Sequence, residues 1–414
     1  MSTRVWMTTL TSAMILATMA LRADAAGFQL QEQTASGLGL AYSGMPAAAQ
    51  DAGTAFWNPA AMTALHGVNV AAAAHLINTS FEFTSAGSTY DAFGDGGNAG
   101  GDHWVPGLYG TFEVNPKFTL GLAVDVPFGL VTDWTIPWAG EFYAAKSKVE
   151  TLNINPTAAF RLSEHFSLGA GVSYQQLKAT LTNAVTPLLP TSLGKLHGDD
   201  WEFGWNVGAL FELDDATRIG ITYRSTIDYT IEGDLTFDDP ALAPNNAQFK
   251  ADLKLPDTAA VGFSHEFGNH LRVLADYTWT GWDSIQSLTV LEANSGLPIT
   301  AIPLNFDNSW RAGLGLEYPL SSKWLLRGGV ALDNTPVQDE FRTPRLPDED
   351  RQWLALGARF TPNDSWAVDV GYAHLWIDDA SNNQAPPGPV PGALIGEYDS
   401  SSNVFGLQAS FAWR

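Results

Sequence analysis

From about residue 66 to Arg414 the chain alternates apolar and polar residues with period two. Short polar turns and long polar loops alternate between these stretches. Successive side chains of a strand point to opposite faces, so the pattern makes each strand apolar on one side and polar on the other. No segment with helical periodicity is available to cover such a sheet. Some 350 residues of two-faced strand therefore describe a closed barrel, apolar outside and polar inside, whose outer solvent is lipid.

Composition narrows this further. No segment of the expected mature chain approaches the roughly 18–20 uninterrupted apolar residues of a transmembrane helix. Cysteine is absent, which excludes disulfides, thiolate metal sites and cysteine nucleophiles. Lys+Arg of 21 against Asp+Glu of 44 gives a net charge of −23, which argues against nucleic acid as a partner. The 15 Trp and 22 Phe suit aromatic girdles at a bilayer interface. The N-terminus reads as an export signal: Arg4, an apolar stretch from Val5 to Leu21, and Ala23-Asp24-Ala25 as cleavage site. Cleavage is expected after Ala25. An exported amphipathic barrel points to the outer membrane of a Gram-negative bacterium.

Three segments are expected: a signal peptide at 1–25, an N-terminal plug of short helices at 26–65, and the barrel at 66–414. Fourteen strands are expected near 67–84, 103–115, 118–128, 147–162, 165–182, 200–213, 217–235, 248–267, 270–290, 305–319, 323–334, 350–361, 365–378 and 402–414. Six connections are tight turns, such as Asn115-Pro116-Lys117 and Pro362-Asn363-Asp364. Seven are long: 85–102, 129–146, 183–199, 236–247, 291–304, 335–349 and 379–401. Facing follows from parity. Trp310, Leu314, Leu316 and Tyr318 face lipid, and Arg311 and Glu317 face the lumen. The same reading gives an interior ladder of Arg218, Arg224, Arg272, Arg311 and Arg327 with Asp125, Glu202, Asp276, Glu317 and Asp369. A charge at the midplane of the lipid face costs about 2–4 kcal/mol, so this sorting is strongly enforced.

Several motifs resemble the FadL family of outer-membrane transporters. They are Ala26-Gly27-Phe28-Gln29-Leu30, the run Ser36 to Gly44, Asp51-Ala52-Gly53 with Asn58-Pro59-Ala60, Phe203 to Gly208, Ile221 to Ser225, and Leu346-Pro347-Asp348-Glu349-Asp350-Arg351. The resemblance implies a fourteen-stranded barrel closed by an N-terminal hatch. It implies passive uptake of long-chain fatty acids or other hydrophobic molecules, with capture on outer loops and lateral exit at a kinked third strand. Partners would be the hydrophobic ligand, outer-membrane lipid and lipopolysaccharide, and the protein would be a monomer needing no metal or cofactor. Asn58-Pro59-Ala60 is expected inside the barrel beside that kink. Aromatic-hydrocarbon uptake within the same family, or a surface adhesin, are the alternative readings.

Pro127-Phe128-Gly129 interrupts the third strand. Proline lacks an amide donor and glycine weakens a strand, so a ladder gap is expected, the alternative being a strand that ends at its loop. On the fifth strand the apolar residues switch from even (Phe166 to Tyr174) to odd (Leu177, Ala179, Leu181). A bulge at Gln175-Gln176 would explain the switch and turn Lys178 inward, where the family's fatty-acid members carry an arginine. The alternative is a rim lysine. Arg224 and Arg311 are candidate ligand residues, although crosslinking of the lumen also explains them. Leu188 and Leu189, with Val185 and Leu193, form a candidate hydrophobic landing surface in loop 183–199. His265-Glu266 with His270 misses the H-E-x-x-H spacing. Asp91, Asp95, Asn98 and Asp102 form a loop rich enough in oxygen to be considered for Ca²⁺.

Overall fold

The computed structural model describes residues 27–413 apart from 188 and 387–389. The expected signal peptide, its cleavage site and Leu188 lie outside the described residues. Nineteen strand segments form one antiparallel sheet that closes on itself, the first strand pairing with the last from Val68↔Trp413 to Ser85↔Gly396. Five spans are interrupted once, so the segments make fourteen spans. They are β1 Val68–Ser85, β2 Asp102–Asn115, β3 Phe118–Asp125 with Gly129–Asp133, β4 Lys146–Ser163, β5 Phe166–Thr186, β6 Leu189–Glu212 and β7 Thr217–Arg224 with Ile227–Phe237. The others are β8 Ala247–Leu255 with Thr258–Glu266, β9 Arg272–Thr280 with Ser287–Glu292, β10 Pro298–Pro303 with Ser309–Pro319, β11 Trp324–Asp333, β12 Arg351–Asn363, β13 Trp366–Gln384 and β14 Leu394–Trp413.

Two expected loops are not loops. Residues 183–199 are the paired ends of β5 and β6, in register from Thr182↔Lys195 to Ala184↔Leu193, with a further pair at Thr186↔Leu189. Residues 291–304 are largely the hairpin that joins β9 to β10. Their alternation differed from that of the membrane span, which hid them as strand. The reason is a change of solvent. On the short-turn side of the barrel, outward residues such as Leu168, Val172, Phe203, Val207, Leu314 and Leu316 are exposed and apolar, whereas lumenal Arg311, Glu317 and Asp369 are buried. On the loop side the faces exchange character. Lumenal Leu177, Ile227, Tyr229, Ile231, Phe249 and Leu255 pack into one apolar cluster, and outward Asp228, Glu232, Lys250 and Lys254 are exposed and ion-paired. A strand of about 9–11 residues crosses a bilayer, so the 21 residues of β5 and 24 of β6 extend well beyond it. Aromatic pairs mark two levels. Phe118–Phe160, Phe166–Phe211 and Trp324–Phe360 lie near the short turns, and Tyr174–Trp201 and Tyr277–Trp310 near the change of character.

Residues 27–65 sit inside the barrel. They carry α1 Ala35–Leu38, α2 Met45–Ala48, α3 Thr54–Trp57 and a 3₁₀ turn Pro59–Ala64, nearly all buried. Lumenal glycines admit this backbone. A Cβ at Gly220 would lie 1.9 Å from the Pro46 carbonyl oxygen, and one at Gly329 would lie 2.1 Å from that of Leu40. Charged rungs hold the rest. Arg327 Nε donates to Glu317 at 2.8 Å and its Nη1 pairs with Asp369. Arg359 reaches both Asp369 and Asp51, tying wall to N-terminal segment.

Candidate functional site

The site is built on the interruption of β3. Pairing of β2 with β3 runs from Asn115↔Phe118 to Leu108↔Val124 and stops there. Beyond it, Asp102–Leu108 of β2 pairs with β1, and Gly129–Asp133 of β3 pairs only with β4. The two halves of β3 are separated by Val126-Pro127-Phe128, whose freed backbone groups need other partners. The N-terminal segment supplies most of them. Leu30 N–H donates to Pro127 O at 2.8 Å, Gly129 N–H donates to Phe28 O at 3.0 Å, and the Gln33 side-chain amide donates to Val126 O at 3.0 Å. The Thr151 hydroxyl accepts from Phe128 N–H at 3.0 Å and donates to Phe128 O at 2.7 Å. Residues 28–30 thus act as an inserted strand where sheet is missing.

A cavity of about 480 Å³ lies at this gap. Its lining mixes lumenal Phe28, Leu30, Ile77 and Trp353 with outward-facing Trp104, Pro106, Lys148 and Glu150. A continuous wall would keep those two sets apart. The opening therefore joins the barrel interior to its flank. On the interior side lies the apolar cluster of Phe28, Phe128, Leu177, Tyr229, Phe249, Trp282, Val290, Phe306 and Leu346. Phe28 stands between the two walls, with ring centroids 5.9 Å from Phe128 and 4.8 Å from Trp282. Trp282 belongs to a second interruption, in β9 at 281–286, that turns it inward and fully buries it. The loop before β12 fixes the N-terminal end: Gly27 N–H donates to Asp348 Oδ2 at 2.9 Å, and Arg351 Nη2 donates to Gly27 O at 2.9 Å.

Residues 16–413 match the family described as outer membrane protein transport protein (OMPP1/FadL/TodX). The chain belongs to this family. It is 30% identical over 403 residues to a long-chain fatty acid transport protein of Escherichia coli O6:H1, covering 88% of this chain and 90% of that one. Among solved structures, a Pseudomonas aeruginosa FadL homologue superposes with a TM-score of 0.87 at 26% identity, over 94% of this chain and 100% of that one. The toluene transporter TodX of Pseudomonas putida shares the fold, with a TM-score of 0.71 at 13% identity, over 95% and 99%. The protein is accordingly an outer-membrane β-barrel that transports hydrophobic substrates passively, and it is no enzyme.

Within this FadL-family barrel the expected site residues fall in different places. Pro127, Phe128 and Gly129 are at the opening. Asn58-Pro59-Ala60 is inside the barrel but not beside the kink. Asn58 donates to Pro46 O and Ala209 O and accepts from Ala60 N–H, and the turn it caps packs on Gly208 of β6 and Gly169 of β5. Phe28 to Leu30 occupy the kink instead. Lys178 does not turn inward. The register of β5 with β4 and β6 is continuous through Gln175 and Gln176, so there is no bulge, and Lys178 is exposed on the outer wall beside buried Leu177. The odd-numbered apolar residues were always lumenal; what changed was the medium outside. Arg224 and Arg311 bind the N-terminal segment, and Arg224 also lines a small cavity beside Leu30 and Trp57. Arg224 donates to Phe56 O at 3.1 Å and lies over the Phe56 ring, and Arg311 donates to Ala41 O and pairs with Asp276. Leu189 lies on the backbone of β6, in the paired ends of β5 and β6 rather than in a loop. Asp91, Asp95, Asn98 and Asp102 make separate hydrogen bonds, and no metal-type cluster occurs among the described residues.

One functional candidate carried no sequence signal. Arg345, in the loop 334–350, donates to the Ser147 hydroxyl at 3.1 Å and more loosely to Thr182 O and Asn183 Oδ1. None of these partners is charged, and burial without a compensating carboxylate pushes its guanidinium down to about 10. It stays cationic at neutral pH, next to Leu346 of the apolar cluster.

Proposed function

We propose that this barrel takes up long-chain fatty acids or similar amphiphiles and releases them sideways into the outer membrane through the opening between β2 and β3. The short turns and both mature ends face the periplasm, and the long loops face outward. Ligand lodges in the apolar chamber around Tyr229, Phe249 and Trp282, with its carboxylate at Arg345, where a cation held only by neutral groups gains a charge-assisted partner. Phe28 swings from between Phe128 and Trp282, and the alkyl chain passes the gap into lipid without entering bulk water. The protein works as a monomer embedded in lipid and lipopolysaccharide. The observation that carries this reading is the cavity whose lining crosses the wall at β3. Uptake of neutral aromatic hydrocarbons is the second reading, favoured by the ring-rich chamber.

The test uses the absence of native cysteine. Cysteines at Pro106 and Leu130, on either side of the opening, are joined by a short reversible bifunctional thiol reagent. Fatty-acid binding should persist while uptake into cells stops, and reduction should restore it. Normal uptake by fully crosslinked protein would rule out exit here. Cysteines at Asn98, Asn245 and Asn383, labelled on intact cells by an impermeant reagent, check the orientation; labelling at Asn363 instead would reverse it.

A further inference from the structure

The cationic side chains are sorted by type. Every arginine on a described strand faces the lumen, as Arg161, Arg218, Arg224, Arg272, Arg311, Arg327 and Arg359 do through their bonds to lumenal groups. Of the eight lysines, Lys117 and Lys323 sit in short turns and the other six lie on the outer wall of β4, β5, β6 and β8. Adjacent-strand register orders the wall of β4, β5 and β6 into rows. Ile154–Tyr174–Phe203 and Leu152–Gln176–Trp201 end the apolar belt. Next come Glu150–Lys178–Asp199, then Lys148–Thr180–His197, then Lys146–Thr182–Lys195. With strands about 4.8 Å apart and alternate residues about 6.8 Å apart, four lysines share a patch on the order of 15 Å across.

Lys146 and Lys148 pair with Asp133 and Glu150, whereas Lys178 and Lys195 form no ion pair among the described residues. At the matching level on β14 and β1 the outward residues include the facing acids Asp399 and Glu82, with Glu397 beside them and no lysine. A barrel of net charge −23 thus gathers four of its six outer-wall lysines at one flank, among Asp133, Glu150 and Asp199 and directly above lipid-facing aromatic residues, while the other two, Lys250 and Lys254 on β8, are both ion-paired. That height is where headgroups of the outer leaflet lie. Lysine is a strongly hydrated point cation suited to phosphate at an interface, whereas arginine serves the planar pairs of the lumen.

We infer that the β4–β6 flank is a docking surface for the phosphorylated headgroup of an outer-leaflet glycolipid, held by Lys146, Lys178 and Lys195. This rests on the outer-membrane setting but not on the identity of the transported ligand. A lysine near an anionic surface is worth about a fivefold change in affinity.

The test places the full mature protein in nanodiscs containing lipid A with both phosphates, or lipid A stripped of phosphate, and counts retained glycolipid by native mass spectrometry. The wild type should prefer the phosphorylated form. The variant K146Q/K178Q/K195Q should lose that preference by more than about tenfold, with unchanged heat-resistant migration as the folding control. Lys148 is kept because it lines the cavity. The variant K117Q/K323Q, in the short turns, should behave as wild type. Equal retention of both lipids by the wild type would overturn the proposal, as would a preference that survives the triple variant or is lost equally in the turn variant. Full competition by millimolar inorganic phosphate would assign the patch to free anions and also overturn it. Fatty-acid binding, measured on the same samples, reports separately on the transport reading.

Discussion

The two halves of this barrel solve opposite problems with one backbone. Toward the short turns the outside is lipid, so the wall is apolar outside and its lumen holds Arg327, Glu317, Asp369, Arg359 and Asp51 in a connected network. Toward the loops the outside is water, so the wall is polar outside and its lumen holds Ile227, Tyr229, Phe249 and Trp282. The interruption at Ser225-Thr226 in β7 and that at Pro256-Asp257 in β8 fall at this change, and each switches which parity faces inward. β5 and β6 make the same change with no interruption, by composition alone. A plug held by charge below and a packed apolar cluster above suit an apolar solute: the first seals against ions, and the second is the proposed place to bind.

The comparison breaks first in the lower half. Arg327→Met should destabilise the barrel by about 3–5 kcal/mol, because Glu317 and Asp369 are left buried with fewer partners. Arg272 and Arg359 still reach those acids, which places the expectation toward the lower end. Denaturant titration in detergent, followed by tryptophan fluorescence, measures it. A loss below about 1 kcal/mol would mean that the network is solvated and that the lower lumen is not the dry seal described.

The boundary between the halves is Phe28. Phe28→Ala removes a ring packed against both Phe128 and Trp282, at a cost of about 3 kcal/mol to seating of the N-terminal segment. The expected readouts are raised single-channel conductance in planar bilayers and faster protease cleavage within residues 27–34. Unchanged conductance would show that backbone bonds at the β3 kink are enough to seal the opening.

How far the sequence could be read follows from the same contrast. Strand number, closure and the sorting of faces were legible in the lower half, where period-two alternation has lipid on one side and charge on the other. Pro127-Phe128-Gly129 was legible as an interruption because proline cannot donate to a ladder. The upper half was misread by one premise, that apolar always means outward. Leu177 and Ala179 were then placed outward by a bulge, which turned Lys178 inward. The paired ends of β5 and β6 looked like a loop because Pro187, Pro190 and several Ser and Thr residues dominate their composition. Contacts between the N-terminal segment and the wall were not legible at all. Nothing local in Asn58-Pro59-Ala60 says that it meets Gly208, or that Phe28 meets Trp282 more than 250 residues away. Arg345 was invisible for the same reason: its distinction is the absence of a carboxylate partner among the described residues, which depends on strands β4 and β5.

The upper half is sharpened by ligand charge. Arg345→Ala should weaken binding of a long-chain fatty acid by about 1.5–3 kcal/mol, the range for a hydrogen bond to a charged group. A neutral ligand of equal length, such as the methyl ester, should be little affected. Competition with a fluorescent fatty acid on purified protein measures both. Equal loss for acid and ester would make Arg345 a prop for the loop 334–350, since Thr132 Oγ1 and Trp134 Nε1 also donate to its backbone and that of Pro344. Loss for neither would move the carboxylate elsewhere in the chamber.

The smallest expected effect is the most exact test of the inversion. Lys178 and Leu177 are neighbours on β5, one exposed on the outer wall and the other fully buried in the chamber lining. Lys178→Ala should therefore leave fatty-acid affinity within about 0.5 kcal/mol of the wild type, as for an ordinary surface substitution. Leu177→Ala, one position away, should lower affinity for acid and methyl ester alike, because it removes apolar wall without touching charge. The two substitutions together separate facing from mere proximity. If Lys178→Ala instead discriminated acid from ester, β5 would have to shift register by one residue near Gln175. Leu177 would then face water, and the chamber would lose part of its wall.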